Sequence, residues 1–252
     1  YFALGSPGSC AEIWKITWPL VLVNAGNTLI YIVNQGLLAR HRLEEITAVV
    51  PVTQVYNMAL SFFLMTCGFV GTIIAQNYGN GNIKQCVKAA WNGFYLSCAI
   101  TILLGALLPL CGPWFFQFGN LSSEVRGLEN SYFRWLSPCA GLACMEAVLF
   151  SFFTATGRTK LVATIKISAC AAGVLINYTF IYGKFGFPEL GIVGAALGTA
   201  GAFIISIITT MVIFLMQDQD KIPSRTYRNP DFLILKQILF YGAPGGMETC
   251  IK

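Results

Sequence analysis

Glu146 is a carboxylate set among Cys144, Met145, Ala147 and Val148, well inside a long apolar run. Ionisable groups in such runs are rare and mark ion or substrate pathways. A carboxyl withdrawn from water favours its neutral form, which suits a group that takes up and releases protons. Ionised and set beside an uncharged amide, the same group would hold Na⁺. The plainer alternative is a glutamate near a helix end or in a buried pair, which serves only to hold helices together.

A second polar set lies in the first apolar run. Asn24, Asn27, Tyr31 and Gln35 are spaced by three or four residues and so share one face of a helix, with Asn34 beside them. Such a stripe suits the wall of a cavity, and interhelical hydrogen bonding alone is the alternative. Asn177 and Tyr178 sit at mid-depth in a later run, with Tyr182 one turn past Tyr178. Tyrosine offers a ring face to a lipophilic cation and a hydroxyl to a polar group. A purely structural Asn177 is the alternative there.

Enzyme signatures are missing. There is no HExxH, nucleophile elbow or P-loop, and the sole histidine, His41, sits between Arg40 and Arg42. The nine cysteines form no CxxC pair and lie mostly within apolar runs, as small packing residues do. The expectation is a protein without catalytic residues, metal or cofactor; without a P-loop, any transport through it must be driven by an ion gradient (H⁺ or Na⁺) or by a partner.

The elements that must position these residues are membrane helices. Hydrophobic residues make up 56% of the 252 residues and charged residues 11%, with a mean hydropathy of +0.65; soluble domains are about 25% charged. Apolar runs near 13–38, 49–76, 86–111, 131–156, 162–183 and 191–216, and from about 233 onward, each reach the roughly 20 residues that a spanning helix needs. They are continuous rather than alternating, which argues against a barrel, and 13–38 is too long for a cleaved signal. The predicted fold is an all-α membrane protein, a six-transmembrane-helix bundle plus a partial seventh helix. The lipid bilayer is its first partner.

The net charge of +5 is a topology signal and does not point to nucleic acid. With the N-terminus in the cytoplasm, Lys15, Lys84, Lys88, Arg158, Lys160, Lys166, Lys221, Arg225, Arg228 and Lys236 fall inside. Arg40, Arg42, Arg126, Arg134 and Lys184 fall outside, offset by Glu44, Glu45, Glu124, Glu129 and Glu189. This is the positive-inside pattern, here of a multi-pass protein of the cell (inner) membrane. Two connections look long: 112–131 outside, with Trp114 and Phe115 suited to the headgroup layer, and 218–231 inside. The expected units are a lobe at 1–217, a cytoplasmic linker at 218–231 and the start of a second lobe at 232–252.

That second lobe is expected from a repeat. Residues 12–19 (EIWKITWP) lead into the first run, and residues 237–244 (QILFYGAP) do the same in the seventh. An even number of spans between them returns the chain to the side where it began, as in transporters built from two parallel halves. Pro19 removes a backbone donor from its helix. A small-residue face (Gly191, Gly194, Ala195, Ala196, Gly198, Ala200, Gly201) opens the sixth run and permits close helix approach.

Residues 177–199 (NYTFIYGKFGFPELGIVGAALGT) resemble the link between spans five and six of multidrug and toxic compound extrusion (MATE) transporters. Residues 74–81 (IAQNYGNG) resemble the end of that family's second helix, 152–160 (FFTATGRTK) the turn after its fourth, and 34–48 the exit of its first. The resemblance implies two six-helix lobes that alternate between outward- and inward-open states. It also implies export of organic cations and other amphipathic compounds in exchange for H⁺ or Na⁺.

This chain departs from the family pattern at Asn34 on the first helix, where many bacterial members carry an acid, and at Asn177 on the fifth, where some archaeal and bacterial members do. An amide can coordinate Na⁺ but does not shuttle a proton, so Glu146 becomes the candidate for proton coupling in this half. The position of another family glutamate, eight residues after the seventh-helix proline, is Lys252. The candidate ion or substrate cavity is therefore Asn27, Tyr31, Asn34, Gln35, Glu146, Asn177 and Tyr178. The chain is expected to be the N-terminal half of such an antiporter, partnered by a missing C-terminal lobe or a second half. Two alternatives stand beside it: a lipid-linked saccharide flippase of the same superfamily, and a non-transporting truncated membrane subunit.

Overall fold

The computed structural model describes residues 10–116, 122–217 and 224–251. Lys252 lies outside them, as does the side chain of Asn27, whose backbone is helical. Seven helices follow one another: α1 (Cys10–His41), α2 (Leu43–Gly79), α3 (Ile83–Phe115), α4 (Ser123–Ala155), α5 (Thr159–Tyr182), α6 (Ile192–Leu215) and α7 (Phe232–Ile251). No strand occurs among the described residues. Helices α1 to α6 are long and apolar enough to cross a membrane, so the expected fold class is the one observed.

The first four helices outrun the apolar stretches that announced them. They contain 32, 37, 33 and 33 residues, or about 50 Å each at about 1.5 Å per residue, against a hydrocarbon core of about 30 Å. The connection expected over 112–131 is correspondingly short, because α3 continues to Phe115 and α4 starts at Ser123. Ser122 caps α4 by accepting from the Val125 amide. Hydropathy marks where a helix meets lipid, and it does not mark where the helix stops.

Helix α4 is the centre, packed against α2, α3 and α6. Small residues set the approach. A methyl group at Gly141 would overlap Thr101 on α3, and one at Gly194 would lie 2.7 Å from the Phe180 carbonyl carbon on α5. The small face expected on α6 is thus the seam against α5. Helix α7 lies on α2, where a methyl group at Gly242 would come within 2.6 Å of the Thr66 carbonyl oxygen.

Both ends of the bundle are tied by polar contacts. At one end His41, the last residue of α1, meets Glu45 of α2 through Nδ1 (3.0 Å) and Glu189 of the α5–α6 connection through Nε2 (2.8 Å). Gly191 leaves room for this clasp, with φ +51° and no Cβ to press on Glu45. At the other end, residues leading into α7 are strapped to α3. Trp91 Nε1 donates to the Ser224 carbonyl (2.8 Å), the Tyr95 hydroxyl to that of Arg228 (2.9 Å), and the Asp231 amide to Asn92 Oδ1 (2.7 Å). Asp231 in turn accepts from the Leu233 amide and so caps α7.

Overpacking a tight helix crossing costs about 1–3 kcal/mol. Gly141→Val should therefore lower the thermal unfolding midpoint in detergent, while Gly127→Val, on the same helix with open space around it, should leave it almost unchanged.

Candidate functional site

Four helices enclose a cavity of about 750 Å³. Helix α1 contributes Asn24, Thr28, Tyr31, Asn34 and Gln35; α2 contributes Thr53, Gln54, Tyr56 and Asn57; α4 contributes Tyr132, Glu146 and Phe150; α6 contributes Thr199 and Phe203. Apolar side chains complete the wall. Among the described lining residues Glu146 is the sole charged one. Amides and hydroxyls interleaved with aromatic rings suit a molecule with a large apolar body and few polar groups.

Helix α5 adds nothing to this wall but holds it from behind. It runs parallel to α1 and is joined to it at three levels. The Cys170 thiol points at the Gly26 carbonyl (3.6 Å), the Asn177 amide donates to Asn34 Oδ1, and the Tyr182 hydroxyl donates to the Leu37 carbonyl (2.9 Å). Asn34 also donates to Thr199 Oγ1 on α6 (3.2 Å). Asn177 is 0% exposed, and its Oδ1 has no hydrogen-bond partner among the described residues.

Deeper along α5, Lys166 Nζ lies 2.7 Å from Glu146 Oε2. Both residues are buried. Glu146 Oε1 has no hydrogen-bond partner among the described residues, and the Lys166 ammonium stands over the Phe203 ring, 5.0 Å from its centroid. Two charges withdrawn from water are tolerated only as a well-aligned pair, because removing either leaves the other uncompensated.

The residues singled out in the sequence separate into groups. Tyr31, Asn34, Gln35 and Glu146 share the cavity wall, with Asn24 alongside. Asn34, placed beside the stripe by its spacing, makes the interhelical bonds, whereas the Asn24 amide donates within its own helix, to the Leu20 carbonyl. Asn177 reaches the wall through Asn34 and does not line it. Tyr178 faces away, half-exposed and packed on Tyr182. The Asn27 side chain lies outside the described residues.

Three of the charges sorted by loop lie within the bundle. Lys166, counted with the inner basic group, is inside the bundle, and Glu45 and Glu129, counted as outer counter-charges, are buried. His41 ends α1 and makes the clasp to Glu45 and Glu189. One signal did point to Lys166: it precedes Asn177 by eleven residues, about three turns of helix, and therefore shares its face.

The MatE family model matches residues 19–179. The chain belongs to the MatE family. Among curated relatives, the probable multidrug resistance protein NorM of Neisseria meningitidis serogroup A is 25% identical over 241 residues, 93% of this chain and 51% of that protein. The NorM of Thermotoga maritima is 27% identical over 247 residues, 95% of this chain and 52% of that protein. This MatE chain thus spans about half the length of the curated relatives it matches. Its fold is that of solved transporters. One is an outward-facing multidrug resistance MATE transporter, with TM-score 0.81 and 18% identity over 94% of this chain and 52% of that one. Another, from Pyrococcus furiosus, has TM-score 0.79 at the same identity and coverage. The chain is a multi-pass membrane protein of a transporter family and not an enzyme.

The amide joint behind the wall yields a prediction. Asn177→Leu leaves the Asn34 carbonyl oxygen buried without its donor, which costs about 1–3 kcal/mol. The variant should unfold at lower temperature in detergent, whereas Tyr178→Leu, altering a half-exposed ring, should stay close to the parent.

Proposed function

We propose that this chain is one six-helix lobe (1–217), a cytoplasmic linker (218–231) and the first helix of a second lobe (232–252) of a multidrug exporter. It lies in the cell membrane with its N-terminus inside and exchanges small amphipathic compounds, organic cations among them, for H⁺ or Na⁺. The observation that carries this reading is the cavity. It is large enough for a drug-sized molecule, lined by rings and uncharged polar groups, and provided with a single carboxylate. Relatives named for multidrug resistance support the class of cargo, and the inner excess of basic residues supports the orientation.

Glu146 is the group assigned to coupling. It is the one carboxylate among the described lining residues, and a proton arriving there would neutralise the charge that a cationic cargo uses. If the coupling ion is Na⁺, the buried amide pair of Asn34 and Asn177, with its unpartnered Oδ1, supplies oxygen ligands. A saccharide flippase is disfavoured on chemistry. Recognition of a pyrophosphate calls for cationic side chains on the wall, and none is among the described lining residues.

The reading is tested in proteoliposomes by efflux of a fluorescent organic cation under an imposed H⁺ or Na⁺ gradient. The chain as given is compared with a two-lobe protein that contains it. The two-lobe protein should show gradient-driven efflux, and Glu146→Gln should reduce it at least tenfold. Efflux untouched by Glu146→Gln removes the coupling assignment. Absence of efflux from both preparations removes the exporter reading.

A further inference from the structure

The cavity's strongest cation-binding elements are its carboxylate and the aromatic ring beside it, and both already hold a cation. Glu146 and Phe203 are wall residues; Lys166 is not. Yet the Lys166 ammonium is 2.7 Å from Glu146 Oε2 and 5.0 Å from the Phe203 centroid. It therefore reaches from behind the wall into the two interactions that an incoming organic cation would seek, ion pairing and cation–π contact. Glu146 Oε1 is buried and without a hydrogen-bond partner among the described residues, so one oxygen of the carboxylate is used by Lys166 and the other by none of them. On α1 the neighbour of the Lys166 stem is Gly26, where a methyl group would make ordinary van der Waals contact with Cys170 Sγ (3.4 Å) and Lys166 Cγ (3.7 Å).

We propose that Lys166 is an internal competitor of the cargo. Its ammonium occupies the site of a lipophilic monocation, and such a cargo binds by taking Glu146 and the Phe203 face from it. This rests on the cavity being the cargo site. The consequence is specificity. With Lys166 in place the wall carries no net charge, so neutral amphipaths bind without hindrance. A cation is admitted only if its apolar body gains enough from the rings to displace the lysine. Lys166 thereby sets how strictly the cavity discriminates between charged and neutral cargo, although it need not touch a neutral one.

The test measures binding of tetraphenylphosphonium and of neutral triphenylphosphine oxide to the purified chain by equilibrium dialysis. Lys166→Met should bind the phosphonium at least tenfold more tightly than the parent, with the affinity for the phosphine oxide unchanged. The double variant Glu146→Gln/Lys166→Met should lose that gain. A phosphonium affinity unchanged in a folded Lys166→Met protein overturns the proposal. So does an equal tightening for both probes, which would mean a loosened pocket and not a released charge. A second measurement needs no variant: saturating phosphonium should speed reductive methylation of Lys166 in the parent protein, followed by peptide mass spectrometry. A rate unchanged or slowed by bound phosphonium overturns the competition. If the parent and both variants bind neither probe, the cavity is not the cargo site, and the exporter reading fails at that earlier step.

Discussion

Inside a bundle surrounded by lipid, a polar group has no water to turn to and must find its partner on another helix. Most of what is specific in this structure follows from that constraint. The amide of Asn34 is met by Asn177 and Thr199, the hydroxyl of Tyr182 by a carbonyl of α1, and the carboxylate of Glu146 by Lys166. The bonds of Asn177 and Tyr182 fix the register of α5 against α1. They also decide which face of α1 is left over, and that face becomes one side of the cavity. Helix α1 is thus two-sided, with one polar edge used up in holding the bundle and another left open.

The sequence made the helices legible because an apolar run long enough to span a bilayer has few other uses. It also marked the α5–α6 seam, since glycine and alanine at helical spacing have no strong reason to recur except close approach. Helix ends were less legible. Polar residues such as Glu124 and Asn130 continue α4 beyond the apolar stretch, because a helix that leaves the hydrocarbon keeps its own hydrogen bonds. Partnerships were least legible. That Asn34 meets a residue 143 positions away depends on two helices sliding to one register, which no local pattern encodes. Lys166 was hidden by its own charge, since a lysine near a span end is ordinarily a topology marker. Tyr178 drew attention because it follows Asn177, yet neighbours on a helix point about 100° apart.

The likeness between the first and seventh helices has a counterpart in structure that is partial. Each carries a proline within the helix, Pro19 and Pro244, one or two turns past a lysine of the same helix, Lys15 and Lys236. Their surroundings differ. Helix α1 is zipped to α5 through side chains, whereas α7 rests on α2 through bare glycine backbone and is reached by a strap pinned to α3. Equivalent sequence openings therefore enter the bundle by different physical means. One relies on polar bonds that define a single register, the other on a smooth surface held in place from its end.

The buried pair of Glu146 and Lys166 has an electrical consequence as well. A single charge moved across a membrane does work against the potential of about 2.3 kcal/mol per 100 mV. An intact pair carries no net charge, so any rearrangement that shifts both residues together is silent to the membrane voltage. Voltage would act on this part of the bundle only when the pair is parted or one member is neutralised, and the charge then felt would be that of whatever had taken the other's place.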